Sequence, residues 1–326
     1  YIHSVLIQAK KNMLKRWNMI LIMLTFTLTI FGTYLTRSGI ISSVHAFAAT
    51  DLGIWFFGFV VFLIILNISL LIYRKDDLSS QNQLDSFASR EAGFVFNNLI
   101  FVAMMLVVLW GTMYPLFTEA IRGVQLKLGP TWFNLKIIPF GLVLLALTGI
   151  APLLAWRKTS LKSISNNLVV PVFMGLGGIL FVYIIGIKQI YPFISSGLIG
   201  FVFGTIFLEF YRGIRARQKT KNESASSAFI AMINKNRSRY GGYIVHIGVL
   251  IICIGFTGKV FDKESDVSLS PLNNQTDLGE YTFILKNYWS ENKFSHPQKR
   301  SNHNASIVSL EVLKNGKFFT NMKPER

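Results

Sequence analysis

The chain has 326 residues, 51% of them hydrophobic and 15% charged, with a mean hydropathy of +0.44. Soluble domains of this length rarely combine such values, which sets aside a water-soluble enzyme and leaves the membrane class. A formal charge of +17 would suit a nucleic-acid partner unless the basic residues are sorted by side of a membrane, so their placement decides.

Crossing the hydrocarbon core takes about 20 mostly apolar residues in a helix. In chain order, seven segments meet that length: 17–36, 54–73, 94–116, 135–156, 168–187, 190–210 and 241–258, and residues 1–8 read as the end of another. With the connection at 9–16 on the cytoplasmic side, alternate connections carry eighteen Lys and Arg residues, from Lys10 to Arg239. The opposite connections carry five: Arg37, Arg122, Lys127, Lys136 and Lys188. The positive-inside rule accounts for that asymmetry, so the charge describes topology and nucleic acid is excluded as a partner. The expected fold is an all-α polytopic membrane helix bundle over 1–259, followed by a small extracytoplasmic β domain over 260–326.

Residues 76–92 read as a polar connector. Within the basic stretch 211–240, residues 224–232 suit either a short interfacial helix or a solvated linker. Beyond Lys259 the pattern becomes alternating, at 281–285 and 306–313, and Asn315-Gly316 is a strong two-residue hairpin signal. Tyr1 is not an initiator methionine and the chain stops straight after a strand pattern, so both ends read as truncations. The single cysteine, Cys253, lies in an apolar segment, so the chain forms no internal disulfide or CxxC pair. Glycine-rich phosphate loops and HExxH are absent, which excludes ATP-driven transport by this chain alone.

Five histidines remain. His3 and His246 fall inside apolar segments, where an ionisable side chain is costly and marks a functional candidate. His3 precedes Lys10 by seven residues and His246 follows Arg239 by seven. Each therefore sits ~10 Å inside the same membrane edge at 1.5 Å per residue. Two imidazoles at one depth suit the two axial positions of one haem iron; two neutral histidines hydrogen-bonded to neighbouring helices are the plain alternative. Gly241, Gly242, Gly248 and Gly255 would admit a flat ring system or close helix packing. His45 lies in an outer connection too apolar for a free loop, with Arg37 available to a propionate; a histidine that merely snorkels is the alternative. Trp132 and Phe133, with Arg122 and Lys127, suit interfacial anchoring or a haem edge, His296 and His303 read as a solvated loop, and Glu209 reads as an interfacial charge.

Three stretches carry a family resemblance: Ile2-His3-Ser4-Val5 with Lys10 and Lys11, the run FGTYLTRSGIISSVHAFA at 31–48, and Tyr243-Ile244-Val245-His246-Ile247-Gly248. They resemble the CcmF family of cytochrome c haem lyase components. Ser89-Arg90-Glu91-Ala92, Asn97-Asn98, Leu109 to Pro115 and Met322 to Arg326 extend the likeness over nearly the whole chain. The resemblance implies that His3 and His246 are axial ligands of a membrane-embedded haem b. It also implies that His45 is one of two outward histidines holding haem delivered transiently by a CcmE-type chaperone. The implied activity is haem reduction and attachment to the CxxCH thiols of apocytochrome c, presented by CcmH/CcmI-type partners, at the bacterial inner membrane with the C-terminal domain periplasmic. The Trp-rich WWD segment and the second outward histidine of that family would lie upstream of Tyr1. A haem or small-solute transporter and a scaffold without haem are the rival classes.

Overall fold

The computed structural model describes residues 1–40, 52–80, 84, 86–155, 161–261, 274–296 and 299–324. They form two compact units, Tyr1–Thr257 and Gly258–Arg326.

The first unit is helical. Helix α1 (Ile2–Lys11) ends where Asn12 takes a left-handed backbone, φ 51°, and returns its N–H to the Gln8 carbonyl. Asparagine tolerates that conformation because its short polar side chain offsets the steric cost. Leu14, also at positive φ, completes a tight corner into α2 (Lys15–Arg37). Four threonines of α2, Thr25, Thr27, Thr29 and Thr33, return their hydroxyl protons to carbonyls one turn back, which satisfies them in an apolar helix. Asn67 of α3 (Leu52–Tyr73) donates to the Thr27 hydroxyl at 3.1 Å and ties the two helices together.

Helix α4 (Arg90–Arg122) starts at Ser89, whose hydroxyl accepts from the Ala92 N–H, and stops at Gly123 with φ 71°. It is longer at both ends than the apolar segment 94–116, because capping rather than hydropathy sets its limits. Helix α5 (Pro130–Ile150) begins with proline, preset for a first turn, and runs into a short 3-10 turn at Ala151–Leu153. Trp132 and Phe133 pack on Gly111 of α4, where a Cβ would meet both rings, so these aromatics serve helix packing.

Helices α6 (Leu161–Ile184) and α7 (Ile190–Lys221) pack backbone to backbone. A Cβ on Gly178 would run into the Ser196 carbonyl, and one on Gly200 into the Met174 carbonyl. Small residues allow such approach, and backbone has little freedom to yield. Gly200→Leu is therefore expected to destabilise the bundle by about 3 kcal/mol, the upper range for overpacking; thermal unfolding in detergent checks it, with Gly177→Leu, which meets open space, as the control.

Helix α7 continues eleven residues past the apolar segment 190–210, and α8 (Ala225–Lys235), capped by Ser224, fills the centre of the basic stretch. Of the two sequence alternatives there, a helix forms. After Asn236, α9 (Arg237–Gly258) begins. A core of Leu145, Val202, Ile206, Met232, Tyr240, Tyr243 and Leu250 unites α5, α7, α8 and α9. Seven helices among the described residues are long and apolar enough to cross a membrane, and large apolar side chains such as Phe62, Ile65, Phe101 and Ile251 are exposed along them. Apolar exposure on that scale is stable only against lipid, and the protein is a multi-pass membrane protein.

The second unit is an antiparallel meander of β1 (Gln275–Leu278), β2 (Tyr281–His296), β3 (Lys299–Lys314) and β4 (Lys317–Met322). Asn315 and Gly316, at φ 49° and 77°, make the turn that pairs Lys314 with Lys317. Among its described residues, Ile307 and Val312 are buried apolar side chains. The solvated loop expected around His296 and His303 is a correction: both belong to the β2–β3 hairpin, His303 opposite Lys293 and His296 opposite Lys299. Polar residues in a two-stranded ribbon satisfy the ladder as well as apolar ones, so polarity concealed these strands.

Candidate functional site

The site is built on α1, α4 and α9. Helix α1 presents a stripe of His3 and Ser4, then Ile7, then Lys11, one turn apart. Ser4 and Ile7 are fully buried, and Lys11 pairs at 2.9 Å with Glu91, itself 1% exposed, in the first turn of α4. Gln8 accepts from the Asn18 amide at 2.5 Å and fastens α1 to α2.

Helix α4 answers with Glu91, Phe94 and Asn97, each three residues on. The His3 ring lies 5.7 Å from the Phe94 ring, and its Nδ1 is 3.1 Å from the Asn97 amide. From α9, the His246 ring stands 6.3 Å from the His3 ring, centroid to centroid, at an interplanar angle of 28°. Both histidines are half-buried, and the His246 Nδ1 is buried with no partner among the described residues. A Cβ on Gly242 or Gly248, four residues before and two after His246, would meet nothing within 4 Å, as would one on Gly241 or Gly255. These glycines leave open space along α9 where close helix packing would have filled it.

One turn before His246, Tyr243 donates to the Glu209 carboxylate at 2.9 Å, and Arg239 forms an ion pair with the same oxygen. Glu209, expected as an interfacial charge, is 9% exposed and takes these partners from α9. Its partners come from α9, thirty or more residues away, and local sequence gave no signal for that pairing. Asn97 and Phe94 escaped in the same way. A polar pair in an otherwise apolar segment was the one available hint.

Arg37 is the last residue of α2, and His45 lies outside the described residues. Cys253 is half-buried against the α5–α9 core and reads as packing. No group of three or more His, Cys, Asp or Glu residues suited to a metal ion occurs among the described residues. Two facing imidazoles without a third protein ligand suit a metal whose remaining ligands come from elsewhere; a zinc-type site draws three or four ligands from the chain itself.

The fold and site define a polytopic membrane helix bundle with a facing histidine pair held between its first and last helices. The chain belongs to the CcmF family of cytochrome c-type biogenesis proteins. It is similar to cytochrome c-type biogenesis protein CycK of Rhizobium meliloti (strain 1021), 31% identical over 285 residues, which cover 86% of this chain and 41% of that protein. It is also similar to CcmF of Pseudomonas fluorescens, 29% identical over 100% of this chain and 47% of that protein, and to CcmF of Escherichia coli (strain K12), 25% identical over 99% and 47%. A solved structure of cytochrome c haem lyase CcmF shares the fold, with a TM-score of 0.64 and 24% identity over 98% of this chain and 46% of that chain. No family model matches the chain. The chain spans about half the length of the curated relatives it matches.

Proposed function

We propose that this protein takes part in cytochrome c maturation as the haem lyase component, holding a haem b between His3 and His246. The observation that carries the reading is the facing pair at 6.3 Å with no third metal-binding side chain grouped with it among the described residues. Two imidazoles that shared one metal, each at ~2 Å from it, would have ring centroids on the order of 6 Å apart. The His246 Nδ1, without a partner among the described residues, and the open space at Gly242, one turn before it on the same face of α9, fit the same group. When bound there, haem b would supply one-electron chemistry.

The chain's own part is positioning. Tyr243 and Arg239 on Glu209 anchor the α9 turn that carries His246, and Glu91 with Lys11 anchors α1. The haem to be attached is the substrate, brought by a CcmE-type chaperone to His45, with Arg37 at the end of α2 as the proposed contact for a propionate. A reduced substrate iron and free CxxCH thiols, presented by CcmH/CcmI-type partners, favour thioether formation on the vinyl groups. The sorting of basic residues supports an outward-facing β unit, and the bacterial relatives support the inner membrane, which makes that side the periplasm. The relatives named for cytochrome c biogenesis support the pathway.

The test is the reduced absorption spectrum of the full-length protein purified from membranes. A low-spin b-type spectrum is expected. A well-folded preparation without haem would overturn the reading in favour of a scaffold or a transporter.

A further inference from the structure

The Asn97 amide has no part in the positioning described above, yet it touches His3 at the one atom that governs which ring nitrogen is free. A neutral imidazole carries its proton on one nitrogen and a lone pair on the other, so His3 offers Nε2 to a metal only when the proton is on Nδ1. The Asn97 amide has a donor and an acceptor end of nearly equal size, exchanged by a half-turn of its terminal torsion. With the NH2 toward Nδ1, the proton is driven to Nε2 and the ligating lone pair is lost. With Oδ1 in that place, Nδ1–H donates, the proton is fixed, and Nε2 is free.

The structure places the Asn97 Nδ2 end 3.1 Å from His3 Nδ1, a half-turn of the amide exchanges it for Oδ1, and Phe94 on the same face of α4 packs 5.7 Å from the His3 ring. His246 has no equivalent, because its Nδ1 is buried without a partner among the described residues. The two imidazoles, so close to each other, therefore stand in unlike surroundings.

We propose that Asn97 is a positioning residue that holds His3 in its metal-binding tautomer through Nδ1–H···Oδ1, making His3 the fixed and more basic of two unequal ligands. The proposal rests on the bis-histidine haem reading. A hydrogen bond at the outer ring nitrogen raises the basicity of a ligating histidine, and losing such a partner typically weakens metal binding 10–100-fold. A more basic ligand favours the ferric state, so the bond holds the reduction potential down.

The experiment is a reductive titration of the haem-loaded, full-length protein with Asn97 intact, Asn97→Leu and Asn97→Asp. Leucine has a similar volume and no acceptor, and it is expected to raise the midpoint potential and to weaken haem retention on the order of 10-fold. Aspartate keeps an oxygen at that position and adds charge, and it is expected to lower the potential below that of the parent. A purely structural Asn97 would alter unfolding temperature and leave the potential alone. Parent-like potentials in both variants, with the low-spin spectrum intact, would overturn the proposal while leaving the haem reading standing. If Asn97→Leu does not fold, Asn97→Asp decides by itself, a lowered potential supporting the proposal and an unchanged one overturning it. A parent without a low-spin spectrum would remove the haem reading, and this proposal with it.

Discussion

A His246→Ala protein is expected to fold, to insert, and to lose its low-spin haem spectrum entirely. The expectation combines two properties of the same side chain. As a structural element His246 contributes little: it is half-buried and its Nδ1 has no partner among the described residues. A buried polar atom without a hydrogen bond costs ~1–3 kcal/mol, so removing the ring offsets much of the packing it takes away. On the proposed reading it is also one of two haem ligands, and no group of three or more metal-binding side chains stands among the described residues to replace it. Stability near that of the parent together with complete loss of the spectrum would therefore separate ligation from folding. Imidazole added to the variant is expected to restore part of the low-spin signal by entering the space the ring vacates. His3→Ala should show the same spectral loss with a larger loss of stability, since it also strands the Asn97 amide. A low-spin spectrum that survives His246→Ala in the presence of His3 would rule out the pair as axial ligands.

How much of this was legible beforehand depended on the range of the interaction involved. The membrane spans follow from hydropathy, and the turn at Asn315-Gly316 follows from the two positive φ values that it needs. The approach of His3 to His246 was foreseeable from depth, because basic residues mark the same membrane edge on both helices. The partners of those histidines were not foreseeable. Helices such as α3 and α5 are apolar all round, so periodicity does not say which face meets which neighbour. Asn97 meeting His3 and Glu209 meeting Tyr243 are products of helix rotation and pairing across 94 and 34 residues. The reach of α7 to Lys221 was missed for a different reason: its last three turns are basic and lie beyond any hydropathy window. The long β2–β3 hairpin around His296 and His303 was missed because its polar residues hide a ladder made by backbone groups.

Replacing Lys11 by methionine should show how far the proposed haem site depends on a single buried charge. Glu91 is 1% exposed and Lys11 23%, so their contact at 2.9 Å is an interior ion pair. Breaking such a pair from one side typically costs 3–5 kcal/mol, because the remaining charge stays buried without compensation. Glu91 lies in the first turn of α4, where the helix dipole favours an anion, and this places the expected loss at about 3 kcal/mol, the lower end. The double variant Lys11→Met/Glu91→Leu removes both charges and should recover most of that loss, since apolar pairs commonly replace buried ion pairs without penalty. Denaturant-driven unfolding of the three proteins in mixed micelles checks the ledger, and a single-variant loss under about 1 kcal/mol would class the pair with exposed ones. The consequence for the site follows from the α1 stripe, on which Lys11 and His3 lie two turns apart on the face toward α4. Freed at its Lys11 end, α1 would hold His3 against Asn97 less firmly, and haem should be lost faster from Lys11→Met than from the double variant. Equal rates in the two would mean that Asn97 and Phe94 suffice to hold His3 in place.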